Sequence, residues 1–380
     1  MRDETFRIVI AGGGSGGHVY PTLAVLEALE GRLKAMNAPM RIIRMGPRDG
    51  YDALFTNLGA DIRDIAAGKI RRYASWANLL DVPKFFVGFI EALAKLYAIM
   101  PDIVFSKGGT GALPVVVAAW FYRIPVVIHE SDAHPGLTNL FSARFARKVF
   151  VSFAEAATYF AAGKTEITGT PLRTELFAAK TTKELAKETL GFDPQAPLTI
   201  VLGGSLGSRR INEFVLENLG ALIRETQILH QAGVMNIADV QKLSRAALID
   251  ESTTRRYQAI GYLDQNLGLI LTAADLAVMR AGSATIAEVS AFGVPAILIP
   301  LEESANGHQR VNAYAFVKTG GGVVIEEGNL LPGIFLGQVK AILGDPALRA
   351  KMSEASAKFS IPGAADKIAD EIIQLVAGTS

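Results

Sequence analysis

Short apolar runs alternate with longer helical patterns from end to end of this chain, and that alternation admits few folds. "FRIVIA" (6–11) leads into a helical pattern over 19–36, followed by "RIIRMG" (41–46), a helix, "DIVFSKGG" (102–109), a helix over 112–122 and "IPVVIHES" (124–131). A second series starts at "LTIVLGGSLGS" (198–208), passes through "ADLAVMRAGS" (274–283) and "VPAILIPL" (294–301), and ends in a helical segment over 364–377. Strands spaced by helices in this way form parallel sheets with crossover connections, an α/β class. Because 380 residues exceed what one ordinary core holds, two Rossmann-like halves are expected. Residues 1–170 form the first, with a C-terminal helix near 360–380 packing back on it, and 198–359 form the second. The polar, proline-punctuated stretch 171–197 reads as a linker. Two such sheets present the C-terminal ends of their strands to a cleft, where open α/β sheets bind ligands.

Composition removes several alternatives. Basic and acidic side chains number 38 and 37, so no global field attracts nucleic acid. The absence of cysteine excludes disulfides and thiolate metal sites. The opening "MRDETFRIVI" lacks the apolar core of a signal peptide, which makes the cytoplasm the expected compartment. The most apolar stretch, "FFVGFIEALAKLYAIM" (85–100), is broken by Glu91 and Lys95, so no spanning helix is expected.

Both halves open with a strand running into glycines and then a helix: "GGGSGG" (12–17) and "GGSLGS" (203–208). Glycines at such a junction let the backbone turn sharply and let a ligand reach main-chain N–H groups at the positive end of a helix, an arrangement suited to phosphate. Similar glycines recur near 108 and 282. Gly12, Gly14 and Gly17 match the dinucleotide fingerprint, but "RIIRMGPRDG" (41–50) has no acidic residue at its strand tip to hold a ribose. A Walker loop is excluded as well, since Gly17 is followed by His18 and not by Lys. The positive helix end favours the neutral, proton-accepting ring of His18, whereas a bound diphosphate favours the imidazolium.

In "RAGSATIAEVSAFGVPAILIPL" (280–301), Ser283 is a plausible N-cap and Glu288 falls about one and a half turns into the helix, among apolar neighbours. A carboxylate there can accept both hydroxyls of a ribose. "HQRVNA" (308–313) places His308, Gln309 and Asn312 within one turn, as polar groups suited to sugar hydroxyls. Together these features point to a sugar nucleotide.

"GGGSGGHVYPTLAV", "SKGGTG", "IPVVIHESDAHPGLTNLFSARFARKV", "GTPLRTELF", "GGSLGSRRINE", "RAGSATIAEVSAFGVPAILIPL", "HQRVNAYAFVKTGGGVVIEE" and "IPGAADKIADEI", in that order along most of the chain, resemble the MurG family, the N-acetylglucosaminyltransferases of peptidoglycan synthesis. The resemblance implies a GT-B fold, two Rossmann-like domains with parallel sheets facing across a deep cleft. It implies inverting transfer of GlcNAc from UDP-GlcNAc to the MurNAc 4-hydroxyl of lipid I, giving lipid II and UDP. It implies that Glu288 holds the ribose, that Arg173 and Ser205 contact the donor diphosphate, and that Gln309 and Asn312 help to read GlcNAc. Ser15, Gly16, Gly17, Leu263, Ser283, Ala284, Thr285 and His308 complete the donor set so implied, and Gly108, Gly109, Thr110, Asp132 and Asn139 the acceptor side. His18 is the first candidate for the base that takes the acceptor proton, with Asp132 and Glu130 as rivals. No D-x-D occurs in the chain, so no metal bound through that motif and no other cofactor is expected.

Two positions depart from the family pattern. His308-Gln309 stands where a glutamine pair is expected, which bears on the donor sugar, and Ser131-Asp132 stands where many members carry Gln-Asn. The second departure puts a carboxylate on the acceptor side. Residues 69–89 combine Lys69, Arg71, Arg72 and Lys84 with Trp76, Leu79, Leu80, Phe85 and Phe86, a pattern suited to an anionic membrane surface. The expectation is a peripheral protein on the cytoplasmic face of a bacterial plasma membrane, with UDP-GlcNAc, lipid I and other cell-wall proteins as partners. The competing readings are another lipid glycosyltransferase such as a diacylglycerol glucosyltransferase, a UDP-GlcNAc 2-epimerase, and a non-catalytic membrane-docking subunit.

Overall fold

The computed structural model describes residues 5–68, 76–178, 181–204, 207–248, 250–263, 266–304 and 307–378, with the side chains of 76–82 and 252 outside the description. The residues up to Arg173, joined by those from Pro362 onward, form one compact unit, and Thr174–Ile361 form a second.

The first unit is built on β1 (Phe6–Ala11), β2 (Met40–Gly46), β3 (Asp61–Asp64), β4 (Ile103–Ser106), β5 (Val126–Glu130), β6 (Lys148–Val151) and β7 (Thr165–Ile167). All pair in parallel, in the order β3-β2-β1-β4-β5-β6-β7. The second unit carries β8 (Leu198–Leu202), β9 (Gln227–Gln231), β10 (Tyr257–Ile260), β11 (Leu276–Met279), β12 (Ala296–Leu298) and β13 (Gly322–Val324), also parallel, in the order β10-β9-β8-β11-β12-β13. The two parallel sheets bear out the α/β expectation. Central strands such as β5 and β8 are buried throughout, because crossover helices cover both sheet faces, and so they read as unbroken apolar runs.

Strand order reverses between β1 and β4 in the first sheet and between β8 and β11 in the second. A ligand crevice opens at such a switch point. All four glycine-rich junctions of the sequence fall there, after β1, β4, β8 and β11.

Helix Ala364–Ala377 returns to the first unit, where Ile368, Ala369 and Ile372 join Leu26, Leu29 and Leu33 of helix Gly16–Ala35 in one buried cluster. Residues 171–197 depart from the linker reading. From Thr174 they belong to the second unit, and helix Lys183–Thr189 is tied to it by Asp275, which pairs with Lys183 at 2.9 Å and with the buried Lys187 at 2.7 Å. The polar composition there supplies these two lysines, and a buried carboxylate is stable only with such partners. Helix Trp76–Ile99 spends its charges in the same manner: Glu91 accepts the backbone N–H of Ala66 at 2.7 Å and Lys95 donates to the carbonyl of Asp64. Among the described residues, no helix is long and apolar enough to cross a membrane.

Candidate active site

In the first unit the chain leaves β1 through Gly12 (φ 98°) and Gly14 (φ 149°), and Ser15, in an extended conformation, caps helix Gly16–Ala35 without a side-chain bond. The N-terminal amides of that helix therefore receive no hydroxyl from their own cap. His18 is the third helical residue and half-buried, and its ring lies against Gly14, where an added Cβ would stand 2.8 Å from Nδ1. The guanidinium of Arg173 stacks 4.4 Å from the centroid of the Tyr20 ring, which puts it beside the same helix turn.

The loop after β4 interlocks with this one. Gly108, Gly109 and Gly111 all have φ near +80° (85°, 80° and 83°). A Cβ on Gly109 would lie 2.0 Å from the Gly13 carbonyl, one on Gly12 would lie 2.3 Å from the Gly108 carbonyl, and Gly13 bridges Thr110. Only glycine permits that approach. Behind it Asn139, buried, donates through Nδ2 to Glu130 at 2.9 Å, to the Lys107 carbonyl at 3.3 Å and to the His129 carbonyl at 3.4 Å. Thus Ser15–His18, Gly108–Thr110 and Asn139 are brought together.

Glu130 is buried and accepts three N–H groups, from Asp132 at 2.9 Å, Gly136 at 3.1 Å and Asn139 at 2.9 Å. Burial, aided by the Asp132 charge, pushes its carboxyl up to about 7. Its position makes it the organiser of the turn that presents Asp132, which is half-buried. Two features went unread in the sequence. Lys107, a single lysine at the end of β4 inside "SKGGTG", is buried against His129 and Ser131. Asp49, in the turn after β2, accepts the Gly14 N–H at 3.3 Å while held by the buried Arg44 at 2.6 Å. An acidic residue therefore does reach the first glycine loop, from the turn beyond the strand tip, and its ion pair with Arg44 binds it in place.

In the second unit the junction after β8 runs through Gly203, Gly204 (φ 85°) and Gly207 (φ 76°), with Ser205 outside the described residues. A Cβ on Gly207 would lie 2.0 Å from the Ala232 carbonyl. Ser208 caps helix Arg209–Glu217, its Oγ accepting from Ile211 N at 3.4 Å and from Arg280 Nη2 at 2.9 Å. Arg280, which the sequence reading passed over, is buried and also donates to Ile299 O at 3.1 Å and to Glu327 at 2.8 Å. It fastens the β8 and β11 junctions to each other.

After β11, Gly282 rather than Ser283 is the N-cap of helix Ser283–Ala291. Its extended φ of −68° and ψ of 135° begin the helix one residue early, so Ser283 lies in the first turn and is buried. Ala284, Thr285 and Glu288 are half-buried in this helix, as is Leu263 after β10. Glu288 sits among buried Ile286, Ala287 and Val289. Helix His308–Val317 begins at Gly307 (φ 63°), with His308 and Gln309 half-buried. Gln309 Oε1 accepts Leu301 N at 3.1 Å, which leaves its NH2 as the group it offers. Asn312 is wholly buried and donates to the Ala281 carbonyl at 3.3 Å, locking this helix to the β11 junction.

Each unit thus presents glycine-loop amides at a switch point with polar side chains around them, the arrangement of the GT-B class of sugar-transferring enzymes. Residues 8–151 match the glycosyltransferase family 28 N-terminal domain and residues 198–368 its C-terminal domain. The chain belongs to glycosyltransferase family 28. A UDP-N-acetylglucosamine--N-acetylmuramyl-(pentapeptide) pyrophosphoryl-undecaprenol N-acetylglucosamine transferase of Shouchella clausii (strain KSM-K16) is 38% identical over 326 residues, covering 85% of this chain and 87% of that one. One of the same name from Treponema denticola is 33% identical and covers 96% of each chain. The crystal structure of Acinetobacter baumannii MurG superposes with a TM-score of 0.73 at 25% identity, covering 97% of this chain and 99% of that one. A UDP-GlcNAc 2-epimerase from Neisseria meningitidis shares the fold at 13% identity, with a TM-score of 0.66, covering 98% of this chain and 100% of that one. The resemblance to the MurG family is borne out.

Proposed function

We propose that this chain transfers GlcNAc from UDP-GlcNAc to the MurNAc 4-hydroxyl of undecaprenyl-pyrophosphoryl-MurNAc-pentapeptide, lipid I, releasing UDP and lipid II with inversion at C1. The observation that carries it is the shared name of relatives matching 85% and 96% of the chain at 38% and 33% identity. In a single displacement the acceptor hydroxyl loses a proton as it attacks, and negative charge grows on the departing diphosphate. Glycine-loop amides, helix N-termini and Arg173 absorb that charge in this reading, and no metal is called upon. Glu288 takes the ribose hydroxyls, and the NH2 of Gln309 a sugar hydroxyl. His18, on the first glycine loop, is the leading base, and Asp132 its rival. Glu130, with its carboxyl enclosed by three donors, shapes the turn instead of meeting substrate.

The lipid-linked acceptor calls for a membrane surface. Lys69, Arg71 and Arg72 lie outside the described residues, as do the side chains of Trp76, Leu79 and Leu80. Phe85 is half-buried, while Phe86 and Ile90 on the same helix are 58% and 64% exposed. Trp120, Phe121 and Phe141 are exposed too, as are Lys84, Arg123, Arg144 and Arg147. Apolar and cationic groups in that mixture support peripheral attachment to an anionic leaflet, here the cytoplasmic face of the plasma membrane.

The test is UDP release from UDP-GlcNAc with and without a lipid I analogue, for the wild type, His18→Ala and Glu288→Ala. Acceptor-dependent release that falls at least ~100-fold in His18→Ala is the expected result. For Glu288→Ala a raised donor KM is expected. Conversion of UDP-GlcNAc to its 2-epimer without acceptor would overturn the reading.

A further inference from the structure

Among the described residues four cations are buried, Arg44 and Lys107 in the first unit and Lys187 and Arg280 in the second, and their partners differ. Arg44 meets Asp49 and Asp52, Lys187 meets Asp275, and Arg280 meets Glu327. Lys107 is equally buried, yet its hydrogen-bond partners are neutral: His129 Nδ1 at 2.7 Å and the hydroxyl of Ser131. His129 Nε2 lies 3.0 Å from the Gly169 carbonyl and donates to it, which leaves Nδ1 as the lone-pair acceptor for the lysine. Burial and the Lys107 charge hold the His129 ring well below its ordinary range, so it stays neutral. A buried amine with neutral partners is costly to charge.

The charged groups that act on it are Glu130 and Asp132, both from the end of β5 and the turn beyond, while Asn139 donates to the Lys107 main-chain carbonyl and the Gly169 carbonyl holds the far side of the His129 ring. Burial lowers Lys107 to about 7 against the raising effect of those two carboxylates. Its place in the chain gives this arrangement a use. Lys107 precedes Gly108-Gly109-Thr110, which interlocks with the first glycine loop, and its amine grips Ser131, the residue before Asp132.

We propose that Lys107 is a positioning residue for the acceptor: its buried amine ties the β4 loop to the Ser131-Asp132 turn and sets one positive charge toward the Asp132 carboxylate. The inference rests on the acceptor-side reading of Asp132 given above. It also gives the Ser131-Asp132 departure a physical partner, because a Gln-Asn pair in that turn would bring no negative charge to a buried ammonium.

The experiment measures turnover of a lipid I analogue and UDP-GlcNAc by the full chain as wild type, Lys107→Met, Asp132→Asn, the double variant and Ser131→Ala. Lys107→Met is expected to lower kcat/KM for the acceptor about 10-fold or more while the donor KM stays within about 2-fold. In the Asp132→Asn background the same change is expected to cost less than about 2-fold, the mark of two residues acting through one contact. The acceptor kcat/KM of the wild type is expected to inflect near pH 7, where the buried Lys107 and Glu130 titrate together, and Lys107→Met to displace that inflection. If Lys107→Met does not fold, Ser131→Ala, which removes the hydroxyl and leaves the amine, is expected to show a smaller loss on the acceptor alone. Equal losses for Lys107→Met in both backgrounds, an unmoved inflection, or matching damage to the donor KM would overturn the proposal and leave the reading of Asp132 standing. Wild-type turnover by Asp132→Asn would overturn that reading, and this proposal with it.

Discussion

At the scale of single residues, the second unit carries a buried histidine whose protonation is linked to folding. His230 Nε2 donates to Asn212 Oδ1 at 3.0 Å, and in the neutral ring, which burial favours, Nδ1 accepts from the Tyr257 hydroxyl at 2.8 Å. Burial lowers its pKa from 6.5 to about 4. The unfolded chain therefore takes up a proton near pH 6.5 that the folded chain refuses until about pH 4. The stabilisation is complete above pH 6.5 and is lost as pH falls through that window, by about 3 kcal/mol in all. Thermal unfolding between pH 7 and 4 checks this, with His230→Phe expected to flatten the acid side while costing stability at neutral pH through the orphaned Asn212. Gly109→Ala offers a second residue-scale test. With φ at 80° and the Gly13 carbonyl 2.0 Å from the new Cβ, the two glycine loops must part. A loss of about 1–3 kcal/mol is expected, together with a raised acceptor KM.

At the scale of elements, helix Ala364–Ala377 completes the core of the first unit across a long sequence separation. Its exposed ion pairs to Arg32, including Asp366 at 2.8 Å, contribute little, because solvent screens them. Ile368 and Ile372, both fully buried, contribute more. Ile368→Ala is expected to cost about 2–5 kcal/mol, and Arg32→Ala no more than about 1 kcal/mol, as chemical denaturation of the two variants would reveal. Helix Ser283–Ala291 shows what sequence patterning reaches and what it misses. Its apolar periodicity and the glycine before it are legible, and they place Glu288 on the right helix. The identity of its cap is not, since Gly282 and Ser283 are both acceptable caps and only the backbone angles choose between them.

At the scale of the whole molecule, the chain passes between the two units twice, once after Arg173 and once before Pro362, and each unit holds its own glycine junctions. UDP-GlcNAc is accordingly expected to raise the melting temperature of the second unit, where Glu288 and Gln309 reside, by mass action. Glu288→Ala should abolish that rise in differential scanning calorimetry. Membrane attachment belongs to this scale as well, since it draws on apolar groups from three helices of the first unit. The double variant Phe86→Glu, Ile90→Glu is expected to lose at least ~10-fold in binding to anionic vesicles. Turnover of a short-chain, water-soluble acceptor should be unaffected, and vesicle sedimentation beside a soluble-acceptor assay separates the two effects.

The sequence by itself determined the α/β class, the two parallel sheets, the glycine junctions and the family. The class, the sheets and the junctions follow from local periodicity and from glycines at strand-to-helix turns, and the family from the resemblance of motifs in order along the chain. Tertiary structure alone decided that Lys183 and Lys187 serve Asp275, that Asp49 answers to Arg44, and that Glu130 is enclosed while Asp132 is half-exposed. It also brought Lys107 to Ser131 across 24 residues of chain. The physical reason is common to all of these. Whether a charge is solvated, paired or buried depends on which segments pack around it, and neighbours distant in sequence leave no period for a local pattern to record.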